Sequence, residues 1–244
     1  MGCLQAPGLG VGLGTGDPDL LTVRAVRIIQ SAPTIAYFAK RGRKGIARTI
    51  VEPWLSTHAE EIPLVYPMTT ERHFADPLYV AEFGAFYAEA AETLAGRLGS
   101  GRDVALLCEG DPMFYGSFMH LFVRLRERFQ VSMTAGISGM SGCWNAAGLP
   151  MTWGDDILTV LPGTLGIEAL TERLRTSDAA VIMKLGTNFP KVRAAVEAAG
   201  LLSRAVYVER GTMAGERIVP LAEMAEDRAP YFSIILVPGE GRRP

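Results

Sequence analysis

The chain alternates short apolar runs with longer segments in which apolar residues return every three or four positions. Val11–Leu13, Thr34–Phe38, Val104–Leu107 and Val131–Thr134 read as buried strands bounded by Gly, Pro or polar residues. Between them Leu20–Ser31, Gly45–Glu52, Pro77–Gly99 and Ser117–Phe129 carry helical spacing, with Asp19 placed to cap the first. This alternation predicts a mainly parallel α/β sheet in the first half. In the second half Ile157–Leu161, Ala179–Lys184, Ala205–Glu209 and Phe232–Val237 read as strands, Gly166–Arg175 and Pro190–Ala199 as helices, and Arg217–Val219 as a short extra strand. Spacing alone leaves the direction of these strands open. No repeat or low-complexity linker interrupts the chain, and we expect an N-terminal α/β domain over residues 1–134 and a second over 135–244.

Candidate chemistry sits where strands end. Cys108-Glu109-Gly110-Asp111-Pro112 closes the run Val104–Leu107, at the carboxyl end of a strand, where open α/β sheets bind their ligands. Gly110 lets a ligand approach the backbone closely, and Asp111 sets a carboxylate at the mouth. Gly14-Thr15-Gly16-Asp17-Pro18 repeats the arrangement about ninety residues earlier. Each tripeptide is either a simple turn or half of a ligand loop. A dinucleotide fingerprint is excluded, because G-x-G-x-x-G begun at Gly8, Gly10 or Gly12 ends on Leu13, Thr15 or Asp17. No G-x-x-x-x-G-K-[ST] occurs either.

Composition narrows the class. With 48% apolar residues in 244, a core is well supplied. A net charge of −2 offers no bulk field for nucleic acid. Cys3, Cys108 and Cys143 are odd in number and lack C-x-x-C spacing, which suits a reducing cytoplasm and packing roles. His58, His73 and His120 are too scattered to form a metal site. No apolar stretch reaches about eighteen residues, and no basic region precedes an N-terminal apolar stretch. Met1-Gly2 is no acylation signal, since Ala6 stands where Ser or Thr is needed. We expect a soluble cytoplasmic protein with no metal, nucleic-acid or membrane partner.

Both loops, together with Ala135-Gly136-Ile137-Ser138-Gly139, Met183–Asn188, Val208–Met213 and Tyr231–Ile235, resemble the motifs of the tetrapyrrole methylases, in the same order. The resemblance runs from Gly10 to about Pro238. It implies two dissimilar α/β domains with a cleft between them. The N-terminal domain would form the tetrapyrrole side, and the C-terminal domain would complete a site for S-adenosylmethionine, the methyl donor. It also implies a homodimer. Position by position, it places donor contacts at Thr15, Glu109, Gly110, Asp111, Phe114, Ser138, Gly139, Leu185, Met213 and Ser233, several through main-chain atoms. Thr15 departs from the family pattern, which often has proline there.

The implied reaction is methylation at a meso carbon of a reduced tetrapyrrole, followed by loss of a proton. Asp17 matches the aspartate assigned as proton acceptor in related uroporphyrinogen methylases; its alternative role is a turn aspartate before Pro18. The family's lysine proton donor aligns with Ala39, leaving Lys40 beside it as a substrate-side candidate. Lys40-Arg41-Gly42-Arg43-Lys44 and Arg48 form a basic segment with no acidic residue between Ala39 and Val51. It suits either the carboxylates of a tetrapyrrole or simple solvation. Trp54, Tyr66, Phe114, Tyr115 and Trp144 suit either a macrocycle face or a core. Glu52–Leu55, Ile62–Pro67 and Val160–Leu165 resemble the cobalamin branch of the family with metal-free substrates. The rivals are a cobalt-containing substrate, methylation of ribosomal RNA or the diphthamide precursor, a non-catalytic tetrapyrrole carrier, and a nicotinamide oxidoreductase.

Overall fold

The computed structural model describes residues 8–67 and 76–241, and the chain divides into the units Met1–Ser138 and Gly139–Pro244. Cys3, His73 and the Met1–Ala6 start lie outside the described residues. The N-terminal unit runs β1 (Gly8–Gly12), α1 (Val23–Ser31), β2 (Thr34–Ala39), α2 (Ile46–Ile50), β3 (Glu60–Val65), α3 (Pro77–Gly99), β4 (Val104–Cys108), α4 (Phe118–Leu125) and β5 (Val131–Thr134). Its five strands are ordered β3-β2-β4-β1-β5 and every pairing is parallel.

Strands β2 and β4 are buried throughout because side chains alternate between two cores, one on each face. Ile35, Tyr37, Ala105 and Leu107 pack with Ala25 and Ile29 of α1 and Ile50 of α2. Ala36, Phe38, Leu106 and Cys108 pack on the other face with Leu94 and Leu98 of α3 and Leu121 of α4. Each fully buried leucine there stabilises the fold by about 1.5–3 kcal/mol.

Three local outcomes differ from the sequence expectation. Strand β3 was not expected, since Pro63 interrupts an otherwise alternating pattern. It forms because it is the edge strand, where a missing N–H costs no ladder bond, and Ile62 and Leu64 face inward. Helix α1 begins at Val23 under a Thr22 cap, whose Oγ1 accepts from the Ala25 N–H at 3.1 Å. Asp17, not Asp19, caps a separate 3-10 turn over Pro18–Leu20. Helix α2 stops at Ile50, since Pro53 has no N–H to continue it, and Glu52–Trp54 form a 3-10 turn.

The C-terminal unit runs α5 (Gly139–Ala146), β6 (Leu158–Pro162), α6 (Ile167–Arg175), β7 (Ala179–Met183), α7 (Phe189–Ala198), β8 (Val206–Glu209), β9 (Arg217–Pro220) and β10 (Ser233–Val237). The order is β6-β7-β10-β8-β9, with β6 and β7 parallel and the other pairings antiparallel. Leu170, Phe189, Val192 and Tyr207 fill one face. On the other, Val181, Val208 and Leu236 meet Met140, Cys143 and Trp144 of α5. Helix α5 is absent from the sequence expectation, because its composition is poor in helix formers and tertiary packing stabilises it instead.

Candidate active site

The two Gly-Asp-Pro turns are joined. Strands β1 and β4 are parallel neighbours, so their carboxyl ends emerge side by side. There Gly110 N–H donates to the Gly14 carbonyl at 2.7 Å, and Gly14 N–H donates to the Gly110 carbonyl at 3.3 Å. Both residues need the left-handed region, with φ 71° at Gly14 and 68° at Gly110. The chain leaving β5 closes on the same point: a Cβ on Gly136 would stand 2.1 Å from the Gly110 carbonyl oxygen. A Cβ on Gly12 would stand 2.4 Å from Gly136 N. Three backbones therefore meet where only glycine fits.

The carboxylates of this cluster have separate partners. Asp111 accepts from Met113 N–H at 2.9 Å through Oδ1 and from Gly136 N–H at 3.2 Å through Oδ2. Asp17 accepts from Asp19 N–H at 2.9 Å through Oδ1. Glu109 Oε1 accepts from Ala47 N–H at 3.1 Å. Burial pushes the Glu109 carboxyl up from its ordinary value, against the main-chain N–H groups that hold its charged form. Part of its side chain remains open to water, and the bond from Ala47 N–H fixes where the carboxylate stands. The Cys108 thiol beneath is buried and displaced upward by loss of water and then by the Glu109 charge, so it stays protonated and packs.

Of the expected donor contacts, Thr15, Glu109, Gly110, Asp111 and Phe114 fall on the two joined turns, and Ser138 lies two residues beyond Gly136. Leu185, Met213 and Ser233 gather at one end of the second sheet. Ser233 opens β10 opposite Glu209, the last residue of β8, and β7 ends two residues before Leu185. Leu185 is fully buried in the core of its unit. Ser233 is buried and donates its hydroxyl hydrogen to the Pro230 carbonyl at 2.6 Å. Gly139 opens α5 with open space where a Cβ would stand.

Backbone strain marks the same loops. Among the described residues four non-glycine side chains sit at positive φ: Tyr115 (54°), Lys184 (58°), Arg210 (50°) and Thr212 (66°). Each costs about 1–2 kcal/mol; Lys184, Arg210 and Thr212 lie in segments singled out above as motifs, and Tyr115 follows the second Gly-Asp-Pro turn. Gly211 between the last two admits α5 closely, since its Cβ would stand 2.7 Å from Cys143 Sγ. No sequence signal identifies these strained positions, because ordinary residues occupy them. The two joined turns of the N-terminal unit fit S-adenosylmethionine: carboxylates for a sulfonium cation, main-chain groups for a nucleoside, and glycines that leave room.

The basic segment separates into two parts. Arg48 is largely buried and grips Glu61 with two bonds, Nε to Oε2 at 2.6 Å and Nη2 to Oε1 at 2.9 Å. Lys44 pairs with Glu52 at 3.0 Å. Lys40, Arg41 and Arg43 are exposed on the turn after β2 and have no ion pair among the described residues. Three of the aromatics named above belong to cores: Tyr66 stacks on Phe38 with centroids 5.3 Å apart, and Trp54 and Trp144 pack on hydrophobic clusters. Tyr115, against Phe114 at 4.8 Å, stays partly exposed on the second turn. No group of three His, Cys, Asp or Glu among the described residues could hold a metal ion, and no described helix is long and apolar enough to cross a membrane.

A parallel sheet whose paired turns present glycine backbone and carboxylate, joined in sequence to a mixed sheet with strained loops, defines a class. The chain belongs to the tetrapyrrole (corrin/porphyrin) methylases, whose family model matches residues 9–225. It is 54% identical over 236 residues to a precorrin-2 C(20)-methyltransferase of Sinorhizobium, spanning 97% of this chain and 96% of that one. With a cobalt-precorrin-2 C(20)-methyltransferase of Salmonella typhimurium it shares 30% identity, spanning 92% of each. A uroporphyrin-III C-methyltransferase from Thermus thermophilus, solved with S-adenosylhomocysteine, superposes with a TM-score of 0.64 at 21% identity, over 96% of this chain and 97% of that one. That structural likeness speaks for the fold.

Proposed function

We propose that this protein is an S-adenosylmethionine-dependent C-methyltransferase acting on carbon 20 of precorrin-2. The products are precorrin-3, S-adenosylhomocysteine and a proton, a step of cobalamin synthesis. One observation carries the reading: near full-length likeness to a precorrin-2 C(20)-methyltransferase in a chain that keeps both Gly-Asp-Pro turns hydrogen-bonded to each other. S-adenosylmethionine supplies an electrophilic methyl group on a sulfonium.

The chain's own contribution is placement. Main-chain groups of Gly110 and its neighbours, held by the Gly14 bonds and by Asp111, are rigid enough to hold donor and carbon in line at about 3–3.5 Å, where orientation alone supplies much of the rate. We assign Thr15, Glu109, Gly110, Asp111, Phe114 and Ser138 of the N-terminal unit to the donor on family likeness. Gly139, Leu185, Met213 and Ser233 of the C-terminal unit are assigned to it on the same basis. Asp17 accepts the proton that the methylated carbon must lose: Asp19 N–H orients its Oδ1, and among the described residues Oδ2 has no hydrogen-bond partner. Lys40, Arg41 and Arg43 meet substrate carboxylates, because Lys44 and Arg48 are committed to Glu52 and Glu61. Family likeness also supports a homodimer working in the cytoplasm.

The test is side-by-side initial rates with labelled donor under strict anoxia, the product being located by mass spectrometry and NMR. Metal-free precorrin-2 should be turned over about tenfold faster in kcat/KM than cobalt-factor II. Equal rates, or preference for the cobalt form, would move the protein to the anaerobic route. Binding without label transfer would make it a tetrapyrrole carrier.

A further inference from the structure

Helix α2 follows the basic turn Lys40–Lys44 directly, so its placement sets where Lys40, Arg41 and Arg43 stand. Its first turn has N–H groups that need acceptors, which an N-cap side chain ordinarily supplies. That route is closed here. The N-cap is Gly45, which has no side chain to accept from the first-turn N–H groups, and a Cβ there would lie 2.3 Å from the Phe38 carbonyl oxygen. Ser, Thr, Asp and Asn are therefore all excluded from the position by the close approach of α2 to the end of β2.

The acceptor comes instead from 62 residues away: Glu109 Oε1 takes the N–H of Ala47, the second residue of α2. Glu109 is the first residue after β4 and stands immediately before Gly110, whose backbone is locked to Gly14. The far side of α2 is held separately, by Arg48 on Glu61 of the edge strand. The helix is thus pinned at one side to the sheet edge and at the other to the second Gly-Asp-Pro turn.

We infer that the Glu109 side chain is a positioning residue: by capping α2 from a distance it couples the donor-binding turn to the basic turn that meets the substrate. Its contact with the donor is then through the main chain alone. This rests on the proposed function for what the basic turn binds, but the cap itself does not depend on it.

Hydrogen exchange of the purified full-length chain, read by NMR, tests the cap without substrate. In Glu109→Ala the Ala47 amide should exchange about tenfold faster, while amides of Val11 and Leu106 in the central strands keep their protection. Glu109→Gln retains an oxygen acceptor and should stay within about threefold of wild type. In kinetics, Glu109→Ala should raise the precorrin-2 KM about fivefold, with kcat and the dissociation constant of S-adenosylmethionine changed less than about threefold, and Glu109→Gln should restore KM. If Glu109→Ala does not fold, Glu109→Asp, which withdraws the carboxylate by one methylene, must show the same loss of protection. Unchanged exchange at Ala47, or weakened donor binding with an unmoved precorrin-2 KM, would overturn the inference. A wild-type protein inactive on precorrin-2 would overturn the proposed function instead, and exchange would still decide the cap.

Discussion

The tripeptide Gly-Asp-Pro occurs twice at the carboxyl end of one sheet, and the two copies are built differently. In the first, Asp17 is satisfied locally, bonding the N–H two residues on and capping its own 3-10 turn. In the second, Asp111 makes the same short bond to Met113 and then reaches 25 residues further to Gly136. Its neighbour Glu109 extends to α2. Among the described residues the first copy is a local turn whose aspartate is bonded through Oδ1 alone, and the second ties three segments of chain together. Identical motifs thus carry different burdens: the second aspartate is engaged in holding the site's shape, whereas the first is the one for which we propose a chemical role.

The largest expected effect separates those burdens at Asp17. Asp17→Asn keeps an oxygen for the Asp19 N–H, so stability and donor affinity should stay near wild type while turnover falls by about two to four orders of magnitude. Single-turnover kinetics beside calorimetric titration of the donor read both quantities. Near-normal turnover would leave the first turn with a structural role only and remove the contrast between the copies.

Next in size is the meeting of backbones at the second turn. Gly136→Ala drives a Cβ into the Gly110 carbonyl, which can yield only by moving both turns. Urea unfolding should show a loss of about 3 kcal/mol. Gly139→Ala is the control, since nothing lies within 4 Å of its Cβ and it begins a helix. Its stability should change by less than about 1 kcal/mol, in the favourable direction. Any loss of donor affinity in that variant then reports the ligand rather than the fold.

The smallest effect probes the anchor at the far side of α2. The Arg48 guanidinium, by hydrogen bond and then by charge against an opposing desolvation, holds the Glu61 carboxyl below its ordinary value. A lowered folded value means that this stabilisation is fully present above the unfolded carboxylate range and is lost as pH falls through the folded value. Glu61→Gln should therefore cost about 1–2 kcal/mol near neutrality, a figure kept modest by partial exposure. Chemical unfolding repeated at falling pH should show the gap to wild type closing below about pH 4. A gap that stays constant with pH would mean that packing of the Arg48 stem, not the ion pair, holds the helix.

Much of the fold was legible along the chain. The strands β2, β4, β5 and β7 are short apolar runs bounded by turn residues, and the helix α3 carries an unbroken apolar period, so local pattern and tertiary need agree. Strand β3 was hidden because Pro63 argues against a strand until the strand is known to lie at an edge. Helix α5 was hidden because glycines and small residues acquire helical structure there only by packing on the second sheet and Gly211. Two of the five basic side chains of the segment after β2 proved unavailable to a ligand, since their partners Glu52 and Glu61 come from elsewhere in the fold.

For the site, the amino-acid order by itself determined the two glycine-rich turns, their aspartates and the family they belong to. These are properties of contiguous residues, each with a conformational requirement that only a few side chains meet. Tertiary structure alone decided that the turns bond to each other, that Gly12, Gly110 and Gly136 share one crowded point, and that Glu109 serves a helix whose own cap position admits no side chain. Those facts depend on which strands become neighbours in the sheet and on backbones far apart in the chain coming so close that an added Cβ would stand 2–3 Å from the other one. Pairing and close approach are set by the packing of the whole unit, so no local pattern of residues records them.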